Sequence, residues 1–331
     1  KKFEVGSLME SERMLQPKIE KIGVDTQNEV VKEEKRQRID NSPYGKIIYR
    51  TGVDKHLFKK HPYGRSVIGS MDDLDAAELS EFTAFNNQYY NPNNATLVVA
   101  GDIDVAATKK MIADYFGTIE NKAKANVRKP IVEPAITETR YATEYDANIQ
   151  IPAYIFSYIT PKSVDKDAYV LDYISSILTG GNSSRMYKRM VDKDQVAVQV
   201  LAFNQANQDY GTYTMGALIK GEPDWDSLKA TMDEEINMLQ TELISEKEYQ
   251  KLQNQFETRF VNANSRIEGI ASSLATYQML QGDTSRINNE LDIYTTITRE
   301  DIMRVANKYL NPNQRVEIKY LAGTEPSNDK E

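Results

Sequence analysis

The chain has 331 residues, with 41 Lys+Arg against 49 Asp+Glu, a formal net charge of −8, two histidines and no cysteine. Disulfides, thiolate metal sites and cysteine nucleophiles are excluded, and the acidic balance argues against nucleic acid as a partner, because phosphate backbones are held by clustered Lys and Arg. No stretch approaches the roughly 18 consecutive apolar residues of a membrane span, whereas 40% hydrophobic residues in a chain of this length can build packed cores, with length suggesting two domains.

The N-terminal segment reads as amphipathic helix from its first residues. Val5, Leu8, Met9 and Met14 recur at helical spacing, with Glu10, Glu12 and Arg13 between them. Lys1 is not Met and no signal pattern follows, as expected of a fragment or a processed product. Periodicity predicts helices over 5–20, 26–39, 46–59, 73–89 and 104–115. Strands are predicted within 138–160, where Ile151, Tyr154, Phe156 and Tyr158 are good β-formers. Helices at 165–178 and 183–193, strands at 196–220, and helices at 225–240, 246–281 and 298–309 complete the pattern. Strands grouped between helical runs indicate α+β with antiparallel or mixed sheets.

Two segments repeat each other. Leu79–Gly101 and Arg299–Gly323 each read as an amphipathic helix, an Asn-Pro-Asn stop, and a strand closing on Ala-Gly. Asn91 and Asn311 lie 220 positions apart, and Gly101 and Gly323 lie 222 apart. A period this long means duplicated domains rather than a solenoid of 20–50-residue repeats. The polar, proline-bearing stretch 121–134 is the natural linker, so the expected domains are 1–125 and 126–331. Were the copies equal, roughly 75–95 residues of the first would precede Lys1.

Three motifs bear on chemistry. In the run from Asn28 to Arg36, Glu29 and Glu33 share a helix face, while Glu34 turns about 100° away, beside Val30 and Val31. An acid adjoining an apolar face can meet a buried metal or arginine, although the run by itself reads best as a solvated charged face. His56 and His61 are five apart and Pro62 stops the helix, which fits local structural roles better than the i,i+4 spacing of a helical zinc site. Gly180-Gly181-Asn182-Ser183-Ser184-Arg185 lacks the ending of a P-loop and the spaced glycines of a dinucleotide fingerprint. It reads as a helix stop at Gly180, with Asn182 or Ser183 capping the next helix. No Ser-His-Asp constellation is recoverable.

The ordered set Leu8–Met14, Glu29–Arg36, Asp40–Gly45, His61–Tyr63, Ile68–Leu74 and Tyr89–Asp102, followed by Gly180–Tyr187, resembles the pitrilysin/insulinase family of inverted (HxxEH) zinc metallopeptidases in its bacterial processing-protease-like branch. The resemblance runs over essentially the whole chain. It implies two similar α+β domains of the pitrilysin/mitochondrial-processing-peptidase type, the first incomplete. The chain would then be an N-terminally truncated, metal-bearing half.

By the same resemblance, Glu34 is the third zinc ligand and Gln27, seven positions earlier, stands where a companion acid is common. The HxxEH segment, with two ligands and the general base, would fall near 40 residues before Lys1. No catalytic residue is then expected within this chain, and zinc belongs to the intact protein without being retained by the fragment. The positions of the substrate-contacting Arg and Tyr are Val191 and Val198 here, so those groups would come from a second half, fused or separate, in a homo- or heterodimer. Peptides or unfolded polypeptides in a clamshell chamber are the implied substrates, and the periplasm or cell envelope the implied location. The alternative is a non-catalytic family member serving as a structural partner subunit.

Overall fold

The structure is a computed structural model, and it describes residues 2–125 and 127–326. Lys1, Asn126 and residues 327–331, which bound the two expected domains, lie outside the described residues. In chain order the elements are α1 (Lys2–Leu15), α2 (Lys21–Lys35), α3 (Gly45–Ile48), α4 (Asp54–Leu57), α5 (Met71–Ala76), α6 (Leu79–Tyr89) and α7 (Val105–Phe116). Then come β1 (Arg140–Asp146), β2 (Ala153–Thr160), α8 (Lys166–Thr179), β3 (Ala197–Ala206), β4 (Gly211–Ile219), α9 (Trp225–Thr241) and α10 (Glu246–Ala263). The chain continues with α11 (Ile267–Gln281), α12 (Arg286–Thr295), α13 (Arg299–Tyr309) and β5 (Arg315–Ala322).

These elements form two compact units built from interleaved stretches of chain. The first comprises residues 1–33, 68–129 and 260–289, and the second residues 34–67, 130–259 and 290–331.

The second unit carries a five-stranded mixed sheet in the order β1-β5-β2-β4-β3, with β1 and β5 parallel and the other pairs antiparallel. Period-two alternation divides its side chains between two cores. Tyr154, Phe156 and Tyr158 of β2 join the apolar faces of α8, α9 and α13 in the larger cluster. Ala153 and Ile155, with Val316, Ile318 and Tyr320 of β5, pack on Ile47, Val53, Leu57 and Phe58 from the α3–α4 region. With both faces of the sheet covered, the central strands β2 and β4 are buried along nearly their whole length rather than at alternate residues.

The first unit is helical among its described residues. α1 packs against α7, where the Ser7 hydroxyl meets Met111 Sδ at 3.6 Å. Asn28 on α2 donates to the Leu74 carbonyl at 3.1 Å, and Lys32 binds Glu29 at 2.7 Å and also Asp75. The Asn-Pro-Asn stop ties down the chain beyond α7: Asn91 Oδ1 accepts the Lys122 N–H at 2.7 Å, and the Asn93 N–H donates to Asn121 Oδ1 at 3.0 Å.

The structure departs from the sequence expectations in several places. The helix predicted at 46–59 is two short turns, because Arg50 takes φ +62° and its buried guanidinium reaches Thr214 Oγ1 at 3.0 Å while pairing with Asp54. The 73–89 helix breaks before α6, where the Glu81 carboxylate accepts the Glu78 N–H at 2.9 Å and starts a new helix. The 246–281 helix breaks between α10 and α11, and a side chain at Gly269 would meet the Ala263 carbonyl oxygen at 2.1 Å. Helix α12 was not foreseen.

The repeat is kept as far as its turn. α6 and α13 each have 11 residues and each is followed by a one-turn 3₁₀ segment, Pro92–Asn94 or Pro312–Gln314. The second copy then runs into β5, whereas the first forms no strand before Gly101. A strand exists only where another strand pairs with it, and none of the described segments of the first unit does so.

Candidate metal centre

Glu34 sits in the last turn of α2, and Gln27 lies seven residues, or about 10 Å, earlier on the same helix. The Glu34 side chain is 39% exposed and pairs with Arg38 of the following π-helical turn at 2.7 Å. Gln27 is exposed, and so are Glu33 and Glu29. Among the described residues no three His, Asp or Glu side chains converge as a metal cage. A zinc site needs three protein ligands. Glu34 by itself therefore does not make one, and the donors among the described residues do not fit a zinc centre without ligands from elsewhere.

The two histidines are held apart by different carboxylates. His56 Nε2 lies 2.6 Å from Glu144 Oε1, which also receives Lys55 at 2.6 Å. His61 is buried; its Nδ1 accepts the Tyr63 N–H at 3.2 Å, so the proton sits on Nε2, which donates to Asp209 Oδ2 at 3.0 Å. Phe58, Tyr63 and Tyr210 surround the ring.

The stretch expected to be a plain linker supplies another fixed carboxylate, which sequence reading missed. Glu133 accepts the backbone N–H groups of Lys59, Lys60 and His61 at 2.7–2.9 Å. Burial would raise its pKa, but those three donors hold it below the ordinary glutamate value. Its signal was a single acid beside two prolines, which nothing local distinguishes from a solvated loop residue.

The glycine-rich turn behaves as the helix stop expected of it. A side chain at Gly180 would sit 2.4 Å from the Ser176 carbonyl oxygen, and Gly181 takes φ +88°. The cap expected from Asn182 or Ser183 is not seen among the described residues, and Ser183 Oγ receives Lys251 at 2.7 Å. Val191 packs against the larger core and Val198 is exposed on β3, so neither supplies a polar group.

A family model described as the peptidase M16 inactive domain matches residues 76–256, more than half of the chain. The chain belongs to the peptidase M16, or pitrilysin, family. In sequence this M16 chain is similar to the zinc protease PqqE of Helicobacter pylori, 27% identical over 298 residues that cover 88% of this chain. It spans 65% of that relative's length, under two thirds. In fold it is similar to a crystal structure of a protease from Helicobacter pylori, with a TM-score of 0.88 at 24% identity over 96% of this chain and 76% of that one. The first half of the periplasmic protease PqqL from Escherichia coli gives a TM-score of 0.73 at 15% identity, over 97% and 70% respectively. These likenesses show the M16 fold, with its mixed sheet packed against helices.

Proposed function

We propose that this M16 chain is the larger part of a metal-bearing half of a zinc endopeptidase acting on peptides or unfolded polypeptides. The observation that carries the reading is its similarity to a zinc protease of which it spans only 65%. Glu34 would be the carboxylate ligand, with Gln27 two turns away tuning it weakly, and the remaining ligands and general base would come from polypeptide that this chain does not contain. Residues 1–125 would belong to the metal-bearing domain and 126–331 to a second, homologous one. A partner half would supply the Arg/Tyr pair that Val191 and Val198 replace, closing a peptide-sized chamber. An envelope location is supported by the fold shared with periplasmic PqqL.

The test compares the purified 331-residue chain with a longer polypeptide that includes an upstream HxxEH segment. The short chain should not cleave a fluorogenic peptide in a chelator-sensitive way, whereas the longer one should. Glu34→Gln in the longer protein should lower zinc content and reduce kcat/KM by about 100-fold or more. Chelator-sensitive cleavage by the short chain, or full zinc content in the variant, would defeat the reading.

The match to a domain described as inactive favours a second reading, a non-catalytic partner subunit. On that reading the longer protein binds no zinc and Glu34→Gln changes nothing.

A further inference from the structure

The second unit contains a cavity of about 580 Å³ between the glycine-rich turn and the start of α10. Its charges are unbalanced. Arg185 is neutralised by Glu248 through two hydrogen bonds of 3.2 and 2.8 Å, which leaves Lys188, Lys247 and Lys251 facing one space in a chain of net charge −8. Lys247 and Lys251 stand at i,i+4 on α10, a like-charge spacing that costs a helix a few tenths of a kcal/mol. Lys247 also lies in the first turn, where the helix dipole disfavours a cation. Both placements are unfavourable for folding and favourable for holding an anion.

Hydroxyls complete the lining. Ser183 Oγ already fixes Lys251, and Ser245 Oγ accepts the Glu248 N–H at 3.2 Å, leaving its own proton to donate. Ser184 is only 4% exposed, and its hydroxyl has no hydrogen-bond partner among the described residues. A buried, unpartnered hydroxyl bordering a cationic cavity is a donor awaiting an acceptor. Lysine ammoniums serve phosphate as point charges, and the cavity is larger than a bare phosphate, within the range typical of small-molecule sites.

We propose that this cavity binds a phosphate ester, a small solute with a dianionic phosphate and an organic body. The phosphate would lie among Lys188, Lys247, Lys251 and the serine hydroxyls, with the body along Ile177 and Leu252. Neither the zinc reading nor any partner half is needed for it.

Calorimetric titration of the 331-residue chain, in chelator and at low salt, tests this with phenyl phosphate, inorganic phosphate and phenol as probes. Phenyl phosphate should saturate below about 1 mM, inorganic phosphate more weakly, and phenol not at all. The double variant K247M/K251M should weaken phenyl phosphate binding by about tenfold or more without lowering the thermal midpoint, since both side chains are exposed and both placements cost the helix stability. S184A should weaken it by several-fold. Absence of saturation overturns the proposal, as does an equal loss in the control K21M/K110M, two exposed lysines outside the cavity.

Discussion

Arg315 and Glu317 stand two positions apart on β5, share the face of the sheet that carries α9, and meet at 2.6 Å with both side chains sealed from solvent. The guanidinium also forks onto Asp233 of α9 and lies 3.7 Å from the centre of the Phe156 ring. Glu317 in turn receives the Tyr154 hydroxyl at 2.7 Å and Lys229 at 2.8 Å. A buried cation this fully partnered is costly to remove, because its carboxylates would be left uncompensated. Arg315→Met should therefore destabilise the protein by about 3–5 kcal/mol in urea unfolding. Arg315→Lys should fall between, since an ammonium cannot form the fork. A loss under about 1 kcal/mol for the methionine variant would show that water reaches the carboxylates.

Asp167 on α8 makes stability depend on pH. Burial would raise its pKa, but hydrogen bonds from Arg304, Lys308 and Tyr309 hold it down to about 2, against an ordinary 3.8. Its contribution is complete above the unfolded value and is lost as pH falls from about 4 towards 2. Asp167→Asn should lower the thermal midpoint at pH 7, and the difference from wild type should shrink as pH drops through that window. A difference that persists unchanged at pH 2 would assign the effect to packing.

Glu235 on α9 is 4% exposed and its Oε2 has no partner among the described residues. Burial raises its pKa, while Arg185 and Arg189 only partly oppose the shift. Ionised, it opposes folding; the penalty is present above the raised folded pKa and fades as pH falls to the unfolded value near 4.5. Glu235→Gln should raise the thermal midpoint at pH 8 by a few degrees, with the gain vanishing by about pH 4.5. A variant less stable than wild type at pH 8 would mean that the two arginines dominate.

The repeat identifies an unburied face on the first unit. Phe82, Phe85 and Tyr90 occupy the positions that Ile302, Val305 and Leu310 take in the second copy, 220 residues on. Those three are at most 1% exposed, whereas Phe85 and Tyr90 are 58% and 57% exposed and line a cavity of about 670 Å³. The native chain should bind a fluorescent apolar dye, and F82S/F85S should remove most of that signal with little change in thermal midpoint. An unchanged signal would place the dye elsewhere.

Local chemistry made much of the fold legible. Helices α7, α8, α9 and α13 lie within two residues of their predicted spans, because each pairs a 3.6-residue apolar period with a capping Asp or Thr. The strands of the second unit were legible from their aromatic and branched residues. The candidate site rests on resemblance: Glu34 differs from the other acids of α2 only in lying beside Val30 and Val31, and nothing in Gln27 itself marks it out.

The sequence by itself determined the α+β class, the helix–turn repeat at a 220-residue spacing and the absence of thiol chemistry, all of which follow from residue type and spacing along the chain. Tertiary structure decided what spacing cannot encode. The alternation of Arg315, Glu317 and Lys319 reads as a solvated strand face, yet the first two are buried because α9 covers that side. Glu133 reads as linker until the turn at 59–61 presents three N–H groups to it. The same helix–turn module ends in a paired strand beside β1 and β2 and in none after Asn94. A strand's hydrogen bonds are made with a distant segment, so its existence is a property of its neighbours rather than of its own residues.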